Sequence, residues 1–151
     1  MRVIVQRVSQ ASVSIEGTAL SSIKKGILAY VCFEEHDNEQ VIAKFFKKIT
    51  NYKIFEGDSG ILDTSLKDLE AELLIVSQFT LGAVTKKGLR PSYHLALEPS
   101  KAKHLYDLMI ELSVSQGVEV SFGTFGAMMQ ISSVNDGPYT CLLYTSPSPR
   151  D

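Results

Sequence analysis

The stretch Gly26-Ile27-Leu28-Ala29-Tyr30-Val31-Cys32-Phe33 is apolar throughout. Successive side chains of a strand point to opposite faces, so an unbroken apolar run needs cover on both. It predicts a central, doubly covered strand. A second run, Ala71-Glu72-Leu73-Leu74-Ile75-Val76, predicts another buried strand, extending to Phe79. Near the N-terminus, Val3 and Val5, then Val13 and Ile15, alternate with polar residues, the period of half-buried strands. Gly17-Thr18 and Lys24-Lys25-Gly26 turn the chain.

Two helices accompany these strands. The first spans about 38–51, opened by Asp37 and Gln40 as a capping pair, with Val41, Ile42, Phe45, Phe46 and Ile49 on one stripe. Its Lys44, Lys47 and Lys48 read as a solvated face, with RNA contact as the alternative. The second starts at Pro99 and runs to about 116, with Gly117 just past its end and Leu105, Leu108, Met109 and Leu112 facing the core. Tyr52–Phe55 reads as a short strand and 61–69 as an irregular excursion. Val118–Phe122, Met128–Val134 and Tyr139–Leu143 read as three further short strands. The pattern is that of one α/β domain over 1–143. Two prolines and small polar residues in 144–151 argue against a packed strand there, so that tail is expected to be disordered or foreign to the domain.

With a formal net charge of −2, the chain cannot hold long nucleic acid on a general electrostatic sheet, although a local cluster can grip one end. Hydrophobic residues at 44% and charged residues at 21% fit a soluble globular protein. No apolar run is long enough to span a membrane, and Met1-Arg2-Val3-Ile4-Val5 enters a strand pattern without signal-peptide architecture. The expected compartment is the cytoplasm. Cys32 and Cys141 are expected as free thiols, and His36, His94 and His104 lack metal-ligand spacing. No cofactor and no metal are expected.

Two motifs carry the candidate chemistry. Ser77-Gln78-Phe79-Thr80-Leu81 delivers two hydroxyls and an amide to the rim of a sheet. No Gly-x-Ser-x-Gly elbow surrounds Ser77 and no histidine can be assigned to it, so its hydroxyl can equally satisfy backbone groups at a strand end. Backbone N–H groups and hydroxyls in such a loop can bind a developing oxyanion without a titrating side chain. Asn135-Asp136-Gly137-Pro138 is the second motif. It reads either as an ordinary turn between strands or as a rigid wall of carbonyl acceptors. Beside the first motif, Lys86, Lys87 and Arg90 make a glycine-punctuated basic loop suited to phosphate.

Arg2-Val3-Ile4-Val5-Gln6-Arg7-Val8, Ser77–Leu81, Lys87-Gly88-Leu89-Arg90-Pro91-Ser92 and Asn135–Pro138 together resemble the D-aminoacyl-tRNA deacylase family, in its order and spacing, over residues 1 to 140. The resemblance implies a three-layer α/β/β domain with mixed sheets, a homodimer, and a metal-independent, chirality-checking esterase. Its substrate would be the 3′ acceptor end of D-aminoacyl-tRNA or mischarged glycyl-tRNA. It implies that Ser77, Gln78, Phe79 and Thr80 line the pocket, that Gly137 and Pro138 arrive from the partner subunit, and that Arg7 supports the Gly-Pro loop. Lys86, Lys87 and Arg90 would hold the tRNA. Tyr139 and Cys141 depart from the small or branched aliphatics expected at their positions, and the Ser/Pro-rich finish has no family counterpart. A nucleic-acid-binding or replication-associated protein on the same fold, with little catalysis, is the alternative.

Overall fold

The computed structural model describes residues 1–146. Its strands are β1 (Arg2–Ile15), β2 (Thr18–Ile23), β3 (Gly26–Cys32), β4 (Phe55–Glu56), β5 (Leu62–Thr64), β6 (Glu72–Ser77), β7 (Glu119–Phe122) and β8 (Gln130–Tyr144). Its helices are α1 (Glu39–Asn51), the single turn α2 (Leu66–Leu69) and α3 (Pro99–Ser113). The order is that of a mixed α/β fold.

β1 is the spine of a six-stranded sheet. Its first half pairs with β3 and its second half with β2, while β8 runs antiparallel along its other edge. β6 then adds to β3, and β7 to β6, both in parallel. Parallel neighbours need a crossover, which α1 and α3 supply. The two main helices end at Asn51 and Ser113, so the second stops short of the expected 116.

Strand alternation sorts the core into two sets. Val3 and Val5 of β1, Ile27, Ala29 and Val31 of β3, and Leu73 and Ile75 of β6 pack with Phe45, Phe46 and Ile49 of α1 and Tyr106 and Met109 of α3. On the opposite face, Leu28, Leu74 and Val76 join Val8, Ala11, Val13 and Ile23. That second set is enclosed because the sheet curls, and the Ser21 hydroxyl of β2 donates to the Phe122 carbonyl of β7 at 3.2 Å. β3 is thus covered on both faces, as its composition demands. Each fully buried aliphatic or aromatic side chain contributes roughly 1.5–3 kcal/mol.

Several local expectations are corrected. The α1 cap is Asn38, whose Oδ1 accepts from the Val41 N–H at 3.1 Å. Asp37 instead accepts from the Glu34 N–H at 2.7 Å and from the Met1 amino group at 3.0 Å. The short strand of 52–55 narrows to Phe55–Glu56, pairing with β5. The stretch 61–69 holds β5 and then α2, which Ser65 and Asp68 close with a reciprocal capping box. β6 ends at Ser77, because a 3-10 turn takes over at Phe79.

The largest correction concerns the C-terminal strands. The expected strands Met128–Val134 and Tyr139–Leu143 merge into one, β8, which begins only at Gln130, so Asn135–Pro138 is not a turn between two strands. Where β1 advances from Gln6 to Val8, β8 runs from Thr140 back to Asn135, so the surplus residues, Gly137 and Pro138 among them, bulge from a ladder that resumes on either side. Tyr144 closes β8, and Thr145 is buried with its N–H on the Met1 carbonyl at 3.0 Å, so the expected disordered tail does not begin at 144. The rest of that tail lies outside the described residues.

Candidate active site

The parallel β3–β6 ladder brings Ser77 opposite Val31, and the Gln78 N–H extends it onto the Val31 carbonyl at 2.7 Å. The chain then folds into the 3-10 turn Phe79–Gly82. Such a turn leaves its first N–H groups, those of Phe79 and Thr80, without acceptors inside the turn. Gln78 Nε2 donates to Thr80 Oγ1 at 2.5 Å. The threonine oxygen spends a lone pair on that bond and keeps its own proton available to donate. This geometry favours a fixed donor over a nucleophile, and among the described residues no histidine or carboxylate hydrogen-bonds Ser77 or Thr80.

Cys32 lies beneath the turn and donates its thiol to the Phe79 carbonyl at 3.5 Å. Burial, and secondarily the nearby Glu34 carboxylate, push this thiol up from its ordinary pKa, so it stays protonated as a donor. Phe79 is 60% exposed and meets Tyr93 edge-on, with ring centroids 5.3 Å apart. Tyr93 was not singled out in the sequence. Its only signal there was its place directly after the basic loop.

Gly137 and Pro138 occupy the β8 bulge, joined by a cis peptide bond, with Gly137 at φ +129°. Arg7 reaches them from β1. Its Nε donates to the Asp136 carbonyl at 3.1 Å, with the Asp136 carboxylate at 3.8 Å, and its Nη1 donates to the Ile54 carbonyl at 2.7 Å. The guanidinium also lies 5.4 Å from the Tyr139 ring centroid, a cation–π contact. A Cβ on Gly137 would sit 2.6 Å from Arg7 Nη2 and push the guanidinium aside, and the positive φ itself favours glycine. Arg7 thus contacts this loop through the Asp136 backbone and the Tyr139 ring. The same guanidinium engages Ile54 and Tyr139, which carry no local sequence signal beyond Tyr139's adjacency to the motif.

The two halves are not brought together within one chain. Ser77 shares a row with Val31 and Val3, whereas the Gly137 bulge stands at the level of Arg7, across β1 on the other side. Four residues along the sheet and three strand spacings across it separate them by about 20 Å. Lys86, Lys87 and Arg90 are exposed on a loop that Val84 and Ser92 close by N–H to carbonyl bonds of 2.7 and 3.0 Å. Among the described residues none of the three forms an ion pair, which leaves their charges open to an anion. No three His, Cys, Asp or Glu side chains converge as metal ligands among the described residues.

Comparison with known proteins adds the family. The D-Tyr-tRNA(Tyr) deacylase family model matches residues 4–144. This chain belongs to that deacylase family. A D-aminoacyl-tRNA deacylase of Magnetococcus marinus is 43% identical over 148 residues, spanning 97% of this chain and 98% of its own. One from Bacteroides thetaiotaomicron is 47% identical over 146 residues, spanning 96% and 97%. Among solved structures, a c-Myc DNA unwinding element binding protein superposes with a TM-score of 0.89 at 36% identity, covering 98% of this chain and 100% of its own. A probable eukaryotic D-amino acid tRNA deacylase gives 0.82 at 20% identity, covering 94% and 97%, a likeness of fold. The deacylase family thus accounts for nearly the whole chain, including both candidate motifs and the basic loop.

Proposed function

We propose that this chain is a D-aminoacyl-tRNA deacylase acting in the cytoplasm. It hydrolyses the ester joining a D-amino acid, or mischarged glycine, to the 3′-terminal ribose of tRNA, releasing free amino acid and tRNA. The observation that carries this reading is the Gln78–Thr80 turn, which offers open backbone amides and a clamped hydroxyl with no titrating base. An aminoacyl ester is already activated, so orientation and oxyanion stabilisation suffice. Water attacks the carbonyl carbon, the Phe79 and Thr80 amides bind the oxygen that gains charge, and the bond to the ribose 3′ oxygen then breaks. That oxygen takes up the proton which the water loses, with the neighbouring ribose 2′-OH assisting the transfer. The 2′-OH also marks the substrate as RNA.

The chain works as a homodimer, in which Gly137 and Pro138 of a second copy face the Ser77–Thr80 turn. The separation of about 20 Å within one chain supports this arrangement. An L side chain runs into the Gly-Pro wall, whereas a D side chain points away and glycine has none to clash. Lys86, Lys87 and Arg90 grip the acceptor-end phosphates.

The test is hydrolysis of D-Tyr-tRNA, L-Tyr-tRNA and Gly-tRNA with and without EDTA. The D and glycyl esters are expected to be cleaved and the L ester spared, with no effect of chelator. Equal cleavage of the L ester, or arrest by EDTA, contradicts the reading. The structural likeness to a DNA unwinding element binding protein motivates a second reading, a nucleic-acid-binding protein with little catalysis. Removing the charges of Lys86, Lys87 and Arg90 weakens both activities, but altering Thr80 weakens hydrolysis alone.

A further inference from the structure

We propose that Asn135 is a positioning residue that sets the D-over-L selectivity by closing the Gly137–Pro138 bulge; this rests on the deacylase reading above. The surplus residues of the bulge lie outside the β1–β8 ladder, so something other than strand pairing must hold the protruding backbone. The half-buried Asn135 side chain spans the gap. Its Oδ1 accepts from the Tyr139 N–H at 3.0 Å, and its Nδ2 donates to Thr140 Oγ1 at 2.8 Å. The same Thr140 oxygen accepts from Gln6 Nε2 at 3.1 Å, which ties the closed bulge to the neighbouring strand. Arg7 braces the loop from beneath, and its ring contact with Tyr139 shares the residue whose amide Asn135 holds.

One planar amide thus supplies an acceptor to one end of the bulge and a donor next to it. Asparagine carries the acceptor and the donor on separate atoms, which a single serine hydroxyl does not. Aspartate keeps the acceptor and lets the Thr140 hydroxyl turn round to donate, so it preserves the closure in altered form. Alanine removes both bonds and leaves Gly137 and Pro138 fastened only by Arg7. A wall that must exclude an L side chain by sub-ångström placement then loosens, and the L ester gains access.

The experiment compares the ratio of D-Tyr-tRNA to L-Tyr-tRNA hydrolysis in single turnover for the parent, Asn135→Ala and Asn135→Asp, with folding checked by circular dichroism. Losing both bonds is expected to lower the ratio roughly tenfold or more in N135A, and by about threefold in N135D. A folded N135A whose two rates fall together with the ratio unchanged shows a merely structural role and overturns the assignment. If N135A does not fold, N135D and Thr140→Val decide by the same ratio. A parent that shows no D preference overturns the deacylase reading and this assignment together. A selective parent with an equally selective N135A overturns this assignment alone.

Discussion

At the scale of single residues, the proposed chemistry rests on Thr80 and Gly137. The Thr80 oxygen is held by Gln78 at 2.5 Å with no histidine or carboxylate bonded to it among the described residues, so under the proposed mechanism it acts as a positioned donor rather than a nucleophile. Thr80→Ser keeps that donor and is expected to stay within a few-fold of the parent rate. Thr80→Val loses it and is expected to slow kcat by roughly 10²-fold, the scale of one oxyanion donor. Single-turnover hydrolysis of D-Tyr-tRNA distinguishes this from covalent catalysis, in which T80V retains nothing measurable. Gly137 acts through its missing side chain. At φ +129°, with Arg7 Nη2 placed 2.6 Å from a would-be Cβ, Gly137→Ala forces both the backbone and the brace to move, at a cost of about 1–3 kcal/mol. The expected result is a fall in the D-to-L hydrolysis ratio that exceeds the fall in melting temperature. A folded G137A that spares L-Tyr-tRNA as well as the parent does removes Gly137 from the selectivity mechanism.

At the scale of elements, α3 is fastened to the sheet by one buried phenol. The Tyr106 hydroxyl donates to the Gly123 carbonyl at 2.7 Å and lies 3.2 Å from the Ile75 carbonyl, while its ring stands edge-on to Phe122 at 5.6 Å. Burial raises its pKa well above the ordinary 10.0. An acid whose folded pKa is raised stabilises the fold fully below its unfolded pKa and loses that contribution as pH climbs past it. Stability is therefore expected to decline above about pH 10, and Tyr106→Phe is expected to flatten that decline while costing about 1 kcal/mol at neutral pH for the bonds lost. Melting curves from pH 7 to 11 check both parts, and an unchanged alkaline slope in Y106F refutes the assignment. The packing of α1, α3, β3 and β6 was legible in the sequence, because apolar runs and helical stripes report directly on which faces are covered. The continuity of β8 was not. Asn135-Asp136-Gly137-Pro138 carries every local signal of a turn, and only the long edge of β1 keeps both flanks in one strand. The α1 cap was misread by one residue because Asp37 and Asn38 are both competent caps, and the difference lies in a tertiary contact to Met1.

Over the whole molecule, the candidate motifs were legible but not their separation, since register fixes distance and a sequence does not show register. The exposed surface bears on how they meet. Leu142 and Tyr144 of β8 are 83% and 57% exposed, on a face that no helix covers. Leu142 pairs with Ile4, and together with Leu81, from the site's own 3-10 turn, they line an apolar cavity of about 430 Å³. In the proposed homodimer, this apolar patch touching the turn that carries Thr80 is where a second copy both hides hydrocarbon from water and brings up its own Gly137 and Pro138. A stable pair needs on the order of 1,000 Å² or more of buried surface, of which a contact centred on Leu142 forms the dry middle. Leu142→Asp puts a carboxylate there. In the single chain that side chain stays in water, so folding is expected to survive, whereas association must desolvate the charge. Light scattering is expected to give twice the 16.6 kDa chain mass for the parent and the single mass for L142D. The folded L142D monomer is expected to lose selective hydrolysis of D-Tyr-tRNA, because its turn meets no Gly-Pro wall. A parent that is monomeric and still fully selective would show that one chain completes the site alone, and the register-based separation of about 20 Å would then have to close by a movement of the β8 bulge.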